Sequence, residues 1–211
     1  MAIVNGYIAL TELQGHLHSN GMPVTFTPAD VVNMELAIEA VSRLVDQKSG
    51  TTFYARTETR NFTADYHDLL YVDDLISVTT LKTDDNDDGT YEVTWTTSDY
   101  YLEPKNARMK SAEGEKEPYR QIRVNQNGDY SFPTSYYGIE IAGSWGYTTT
   151  PPDYVKQVVM LMANRIYRRK DAIFGVSGTP QLGVMTVQAR IQEDTDIVKL
   201  MSGLNTRGFY A

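Results

Sequence analysis

Apolar residues at three- and four-residue spacing predict helices in the first 50 residues. A short pattern runs through Leu10, Leu13 and Leu17. A stronger one fills residues 28–48, where Thr27 is a favourable N-cap, Pro28 a favourable first residue and Gly50 a natural stop. Its apolar positions are Val31, Met34, Ile38, Val41, Leu44 and Val45.

The pattern changes to β-rich runs between residues 51 and 148. Alternating or β-branched and aromatic residues fill FYARTETRNFTA, LLYVDDLISVTTLKT, TYEVTWTTSDYYLEP, YRQIRVN and YGIEIAGSWGY. Turn signals such as DDNDDG and NQNGD separate them. Five or six strands of this length predict a small antiparallel sandwich or barrel.

A second long helix is predicted over residues 152–170, with a cationic last turn. The glycine-rich stretch IFGVSGTPQLG follows as a loop, and GVMTVQARI is a further candidate strand. A short helix, DTDIVKLMSGL, then leads into the tail NTRGFYA. Tail and helix together suit a docking segment that orders on contact, although simple fraying explains them equally well.

This order predicts an α+β protein whose helical core, two long helices plus short terminal helices, carries an inserted antiparallel β-sandwich or barrel. The predicted parts are residues 1–50 and 149–195 for the core, 51–148 for the inserted β-domain and 196–211 for a C-terminal docking arm. Insertions are tolerated where chain ends lie close together.

Composition narrows the function. The chain has 211 residues and no Cys, which excludes a disulfide framework, thiol catalysis and thiolate metal sites. A net charge of −8 argues against a protein that coats nucleic acid, yet it suits a wall along which DNA slides. No stretch is apolar for long enough to span a membrane, so no membrane partner is expected.

The stretch LKTDDNDDGTYEVTW resembles the start of a calcium-binding EF-hand loop. Asp84, Asn86, Asp88 and Gly89 follow the D-x-N-x-D-G spacing, but Trp95 stands where the motif has a bidentate Glu. The flanks also favour strands rather than helices. The stretch therefore predicts a β-hairpin turn, with Asp84, Asn86 and Asp88 kept as a weak metal-site candidate.

No catalytic constellation emerges. The sequence has no G-x-x-x-x-G-K-[ST] phosphate loop and no G-x-S-x-G nucleophile elbow. His16 and His18 point to different sides of a helix, and His67 lies in a polar turn. Asp73 and Asp74 face opposite sides of a strand. We therefore predict that the protein is not an enzyme and uses no cofactor.

Three stretches, in this order and spacing, resemble the head–tail connector, or portal-adaptor, proteins of tailed phages, in particular longer members with a β-domain insertion. The first is RLVDQKSGTTFYARTETRNF, where a helix closes and enters a strand. The second is LLYVDDLISVTTLKTDDNDDGTYE, and the third is PPDYVKQVVMLMANRIYRRKDAIFGV. Compact members are nearly all helical, so the role of the β-domain stays open.

The resemblance implies a structural virion protein at the head–tail junction, made in the host cytoplasm. It implies a ring, commonly twelve-fold, that docks beneath the portal protein, receives a stopper or tail-completion protein on its other face, and lets DNA pass without sequence-specific binding. Ring contacts carried over by position are Arg43, Arg165, Arg168, Arg169 and Lys170. Portal-docking residues in the arm are Ile197, Leu200, Met201, Leu204, Phe209 and Tyr210.

Two alternatives remain at this point. The β-domain is a candidate ligand-binding module for carbohydrate or peptide, with an aromatic platform made of Trp95, Tyr100, Tyr101, Tyr136 and Tyr137. A metal-dependent enzyme built on the loop from Asp84 to Asp88 is the other, and calcium titration tests it.

Overall fold

The computed structural model describes residues 3–21, 25–105 and 117–168, together with the backbone of 176–177 and 185–186. The chain divides into two compact units. We call Met1–Gly50 with Asp153–Ala211 the helical unit and Thr51–Pro152 the sheet unit. No helix of the described residues is long and apolar enough to cross a bilayer.

The helical unit holds three helices, α1 Leu10–Ser19, α2 Pro28–Ser49 and α3 Asp153–Arg168. The start of α2 is a capping box, in which the Thr27 hydroxyl accepts from the Asp30 N–H at 3.2 Å and the Asp30 carboxylate accepts from the Thr27 N–H at 3.1 Å. Gly50 ends the helix in the left-handed conformation at φ 65. The predicted bounds of α2 and the predicted start of α3 are confirmed to within one residue, and the predicted end of α3 at Lys170 lies outside the described residues.

Apolar faces of all three helices form the core of this unit, and α2 and α3 share its most extensive helix packing. Tyr167 near the end of α3 donates to the Asp30 carboxylate at 3.1 Å, and its ring meets Phe26 edge-on. The last turn of α3 therefore lies at the start of α2. The buried residues include Leu13, Leu17, Met34, Ile38, Val41, Val45, Val155, Val158, Val159 and Met162.

The sheet unit holds one antiparallel sheet of six strands. They are β1 Arg56–Phe62, β2 Leu69–Thr83, β3 Val93–Trp95, β4 Tyr100–Glu103, β5 Tyr119–Val124 and β6 Ile139–Trp145. The spatial order is β1-β6-β2-β5-β4, and β3 pairs with β2. All five strand-rich runs of the sequence thus contribute strands to this sheet.

The long strand β2 changes partners along its length. Its first part pairs with β5 as far as Leu75 opposite Tyr119, and its second part pairs with β3 from Leu81 opposite Trp95. Register shifts on both edges bend the strand around an apolar core. That core includes Leu70, Leu75, Leu81, Trp95, Ile122, Phe132, Ile139, Ile141 and Trp145.

The predicted fold class is wrong. The protein is mostly a six-stranded antiparallel sheet with three helices, not a core of two long helices with a β-insertion. The strands also form a single sheet rather than a sandwich, and among the described residues the outer strands β1 and β4 do not pair to close a barrel. Helical periodicity is a local signal, whereas the extent of the sheet depends on pairing between distant segments.

A two-stranded ladder follows α3, made of β7 Val176–Ser177 and β8 Met185–Thr186. The second strand lies in the predicted strand GVMTVQARI, and the first lies in the stretch predicted as a loop. The predicted C-terminal helix and tail, residues 196–211, lie outside the described residues.

Candidate functional site

The loop from Asp84 to Glu92 joins β2 to β3, as the hairpin prediction required. Asp84 is buried, and its carboxylate accepts from the Gly89 N–H at 2.7 Å and the Asp88 N–H at 3.2 Å. Asp87 at φ 61 and Gly89 at φ 86 take the left-handed conformations that the turn needs. The acidic run is thus a self-capped turn.

The same loop brings carboxylate oxygens of Asp84, Asp88 and Glu92 within 4.8 Å of one another. Glu92 was missed at the sequence level, although it occupies the ninth position of an EF-hand count. The twelfth position, Trp95, is buried in the core and donates to the Thr83 hydroxyl at 3.1 Å. The cluster therefore lacks the bidentate ligand of an EF-hand, and Asp84 already serves two backbone donors.

The prediction of an aromatic platform is wrong for two of its five residues. Trp95 and Tyr100 are buried, and Trp95 stacks on Phe132 with ring centroids 4.9 Å apart. Burial also raises the pKa of Tyr100. Only Tyr101, Tyr136 and Tyr137 of the five predicted side chains are exposed, so the structure does not assemble the platform.

Tyr136 and Tyr137 form an exposed pair with ring centroids 4.2 Å apart. Tyr137 is a non-glycine residue at φ 58, held there by the Thr63 hydroxyl, which accepts from its N–H at 2.9 Å, and by the Tyr91 hydroxyl, which donates to its carbonyl at 2.8 Å. The hydrogen bond with Tyr137 raises the pKa of Tyr136.

An open groove of about 420 Å³ lies where β2 leaves β5 and has not yet met β3. Its lining is mainly apolar and aromatic, and Lys105 is its charged side chain. The groove brings together no acid, base or nucleophile arrangement among its lining residues. They are Ile76, Ser77, Val78, Thr97, Tyr100, Tyr101, Leu102, Lys105 and Tyr119.

The acidic pair and His67 have structural partners. Asp73 pairs with Arg60 at 3.1 Å and Asp74 with Arg120 at 2.9 Å, so the two carboxylates serve separate ion pairs. The Nδ1 atom of His67 lies 2.9 Å from the Phe132 carbonyl, which requires Nδ1 to carry the proton. These residues hold strands and loops together.

The residues expected at ring contacts lie in different settings. Arg43 pairs with Asp46 at 3.1 Å, donates to the Asn5 carbonyl at 2.9 Å and lies over the Tyr7 ring. It therefore fastens the N-terminal segment to α2. Arg168 is exposed and donates to the Asn20 carbonyl at 3.3 Å, and Arg165 lies one turn earlier on α3.

The other predicted partner residues lie outside the described residues. They are Arg169 and Lys170 at the expected ring contact, and Ile197, Leu200, Met201, Leu204, Phe209 and Tyr210 in the expected docking arm. Their roles stay predictions.

Sequence reasoning missed a second apolar face on α2. Ala29, Val32, Leu36 and Ala40 are exposed on the side away from the core. The signal was present, since apolar residues continue around this helix instead of giving way to charged ones. Of the six apolar positions that predicted the helix, Met34, Ile38, Val41 and Val45 are buried in the core, and none of the six belongs to this second face.

Two solved structures have a similar fold. One, described as "Neck of empty GTA particle computed with C6 symmetry", contains a chain that matches with a TM-score of 0.57 at 16% identity, over 98% of this chain and 93% of that one. A chain in "Virion of native gene transfer agent (GTA) particle" matches with a TM-score of 0.55 at 17% identity, over the same shares, 98% and 93%. No protein-family model and no curated protein matches the sequence.

Proposed function

We propose that this chain is a structural protein of the neck of a tailed-phage-like particle, an adaptor that forms a ring beneath the portal. The observation that carries the proposal is the fold match to gene transfer agent chains over 98% of this chain. It includes both the helical unit and the sheet unit, so the β-rich region belongs to the shared architecture. The three connector-like stretches of the sequence point to the same class independently.

The parts of the chain take separate roles in this proposal. Residues 1–50 and 149–195 make the ring, residues 51–148 form a separate β-domain, and residues 196–211 dock onto the portal. The opposite face of the ring receives a stopper or tail-completion protein. DNA passes through the channel without tight binding, since a chain of net charge −8 releases few phosphate counterions.

The proposed role is structural rather than catalytic. The side chains of Asp73, Asp74 and His67 are engaged in contacts within the sheet unit. The polar groups of the Asp84 loop cap their own turn. What the chain offers a partner is surface shape, charge and apolar area.

Imaging tests the ring directly. We expect negative-stain electron microscopy of the protein, alone at high concentration and mixed with purified portal, to show closed rings with a central channel. The sample with portal is included because the protein then forms rings even if assembly requires the portal as a template. Absence of rings in both samples would contradict the adaptor proposal.

Truncation tests the docking arm. A chain that ends at Thr195 should fold and melt like the full-length protein but fail to join portal-bearing heads, because the apolar arm is gone. The matched control is full-length protein in which Thr206 and Arg207 are changed to Ala, leaving the apolar positions of the arm intact. Normal joining by the truncated chain would rule out the arm as the portal-docking segment.

A further inference from the structure

An apolar stripe runs along the outward face of α2, beside exposed Asn33. Val32 and Leu36 are 40% and 46% exposed, and with exposed Ala40 they form a stripe at four-residue spacing. A surface helix normally turns charged and polar residues to solvent, and a contiguous apolar stripe marks a contact surface. We call Val32, Leu36 and Ala40 the α2 stripe.

Charge is segregated along the two packed helices. Residues 28–42 of α2 contain Asp30, Glu35 and Glu39 and no Lys or Arg. Residues 161–168 of α3 contain Arg165 and Arg168 and no Asp or Glu. Several of these side chains also have partners within their own copy, so the complementarity is between the net charges of two surfaces.

Leu161, Arg165 and Arg168 share one face of α3, because they are four and three residues apart. None of the three is buried. We call them the α3 face. It combines a half-buried leucine with two cations, which suits an apolar stripe with acidic neighbours.

The packing of α2 against α3 limits how far apart the two surfaces can lie along the axis of a ring. The hydrogen bond from Tyr167 to Asp30 sets the last turn of α3 beside the first turn of α2. Rotation about a ring axis moves every atom around the axis without changing its height. In any ring of this chain, the Tyr167 hydroxyl oxygen of one copy therefore differs in height by no more than 3.1 Å from the Asp30 carboxylate oxygen of the next, so the end of α3 in one copy lies near the level of the start of α2 in the other.

We propose that the α2 stripe of one copy packs against the α3 face of a second copy, as the head-to-tail contact of the ring. The inference rests on the proposed function, which supplies the ring. Two different surfaces meet in this contact, so it is heterologous and can close a ring, whereas α2 against α2 across a two-fold axis stops at a dimer.

The absence of Cys allows a clean cross-linking test. Val32→Cys and Arg168→Cys replace one exposed residue of the α2 stripe and one of the α3 face, alone and together, and a short bismaleimide is added under the conditions in which rings are imaged. We expect the double variant to give a ladder beyond dimer on a denaturing gel, and neither single variant to cross-link. Dimers from Val32→Cys alone would overturn the proposal in favour of a two-fold contact.

A charge variant provides the second readout. Leu36→Lys should abolish ring formation, because it puts a cation against Arg165 and Arg168, and Gln47→Lys, an exposed position on the same helix beyond the α2 stripe, should leave it intact. Both should retain the wild-type circular dichroism. Rings that form without the ladder, or rings that survive Leu36→Lys, would refute this interface and leave the proposed function standing. No rings even with portal would refute both.

Discussion

Gly146, the residue after β6, occupies a backbone conformation that side chains rarely adopt. Its φ is +134, and a Cβ added there would lie 2.1 Å from the carbonyl oxygen of Tyr54. Its N–H donates to the Asp74 carbonyl at 2.8 Å. Gly89, in the hairpin turn, also has a positive φ, +86, but a Cβ there would meet open space. A substitution at Gly89 therefore measures backbone strain alone, whereas one at Gly146 measures strain and steric overlap together.

Gly146→Ala should destabilise the protein by more than Gly89→Ala. Strain alone at Gly89 should cost about 1 kcal/mol, whereas Gly146→Ala adds a clash with backbone and should exceed about 2 kcal/mol. Urea unfolding followed by circular dichroism measures both. Equal losses for the two variants would show that Tyr54 moves aside freely.

Glu58 on strand β1 forms ion pairs with Arg56 and Arg60. It pairs with Arg60 at 2.8 Å, and the Arg60 guanidinium lies 4.6 Å from the Trp145 ring centroid. The hydrogen bond from Arg60 holds the pKa of Glu58 below its ordinary value, and the charges of Arg56 and Arg60 act in the same direction against partial burial. A carboxyl whose folded pKa is lowered stabilises the fold above its unfolded pKa.

Stability at this site should fall with acid. Wild type should exceed Glu58→Gln in melting temperature above about pH 4.5, the ordinary value, and the difference should vanish as the pH falls through the lowered folded pKa. The effect should be small, because the Glu58 side chain is 37% exposed. In an Arg60→Gln background the pH dependence should largely disappear. A difference that grows toward low pH would contradict the assignment.

At the scale of elements, the hairpin from β2 to β3 is specified by turn chemistry. Asp84 sits at the end of β2, where its backbone N–H donates to the Gly138 carbonyl at 2.9 Å and its carboxylate closes the turn. Asp84 thus joins the acidic run that resembles a calcium loop to the sheet through its backbone and to the turn through its side chain. Removing its buried carboxylate leaves backbone donors without a partner.

Asp84→Ala should destabilise the protein by roughly 1–3 kcal/mol, because the N–H groups of Asp88 and Gly89 lose their acceptor. Asp85→Ala, at the adjacent exposed position, should stay within about 0.5 kcal/mol of wild type. Chemical denaturation gives both values. Similar effects at the two positions would mean that Asp84 does not organise the turn.

Calcium should leave the melting temperature unchanged. The Asp84 carboxylate already accepts two backbone hydrogen bonds, and Trp95 replaces the bidentate Glu of an EF-hand. A functional site would raise the melting temperature with calcium concentration, because a ligand that binds the folded state stabilises it. Such a rise in wild type, lost in Asp88→Asn, would establish a cation site and overturn this prediction.

At the scale of the whole molecule, each unit has a core of its own. The sheet unit buries Trp145, Phe132, Leu70, Leu75, Leu81 and Ile122, and its six strands pair with one another. Its size of about one hundred residues lies in the usual range for an independent domain.

The isolated fragment Thr51–Pro152 should therefore fold. We expect a β-type circular dichroism spectrum, dispersed amide signals in NMR and one cooperative melting transition. A Trp145→Ala version should melt at a markedly lower temperature, since removing a buried tryptophan costs about 3–5 kcal/mol. A fragment without cooperative unfolding would show that the sheet depends on the rest of the chain.

Much of the local structure was legible in the sequence. Thr27, Pro28 and Gly50 mark the ends of α2 because caps act within one turn of a helix. LLYVDDLISVTTLKT is β2 from its first residue to its last, and the Asp and Gly residues that follow it form the predicted turn. The caps and the turn depend on contacts between residues close in sequence, and the β-branched and aromatic residues of β2 give this stretch a local preference for the extended conformation, so sequence alone was enough to predict them.

The tertiary structure decided what depends on distant residues. The pairing of Asp74 with Arg120 spans 46 positions, and the burial of Trp95 and Tyr100 depends on loops and strands that meet only in the folded sheet. The same holds for the single sheet that replaced the expected helical core, and for the exposed side of α2. The sequence shows which side chains are apolar and which share a face of a helix or strand. Only packing determines which of them are buried and which remain exposed for a partner.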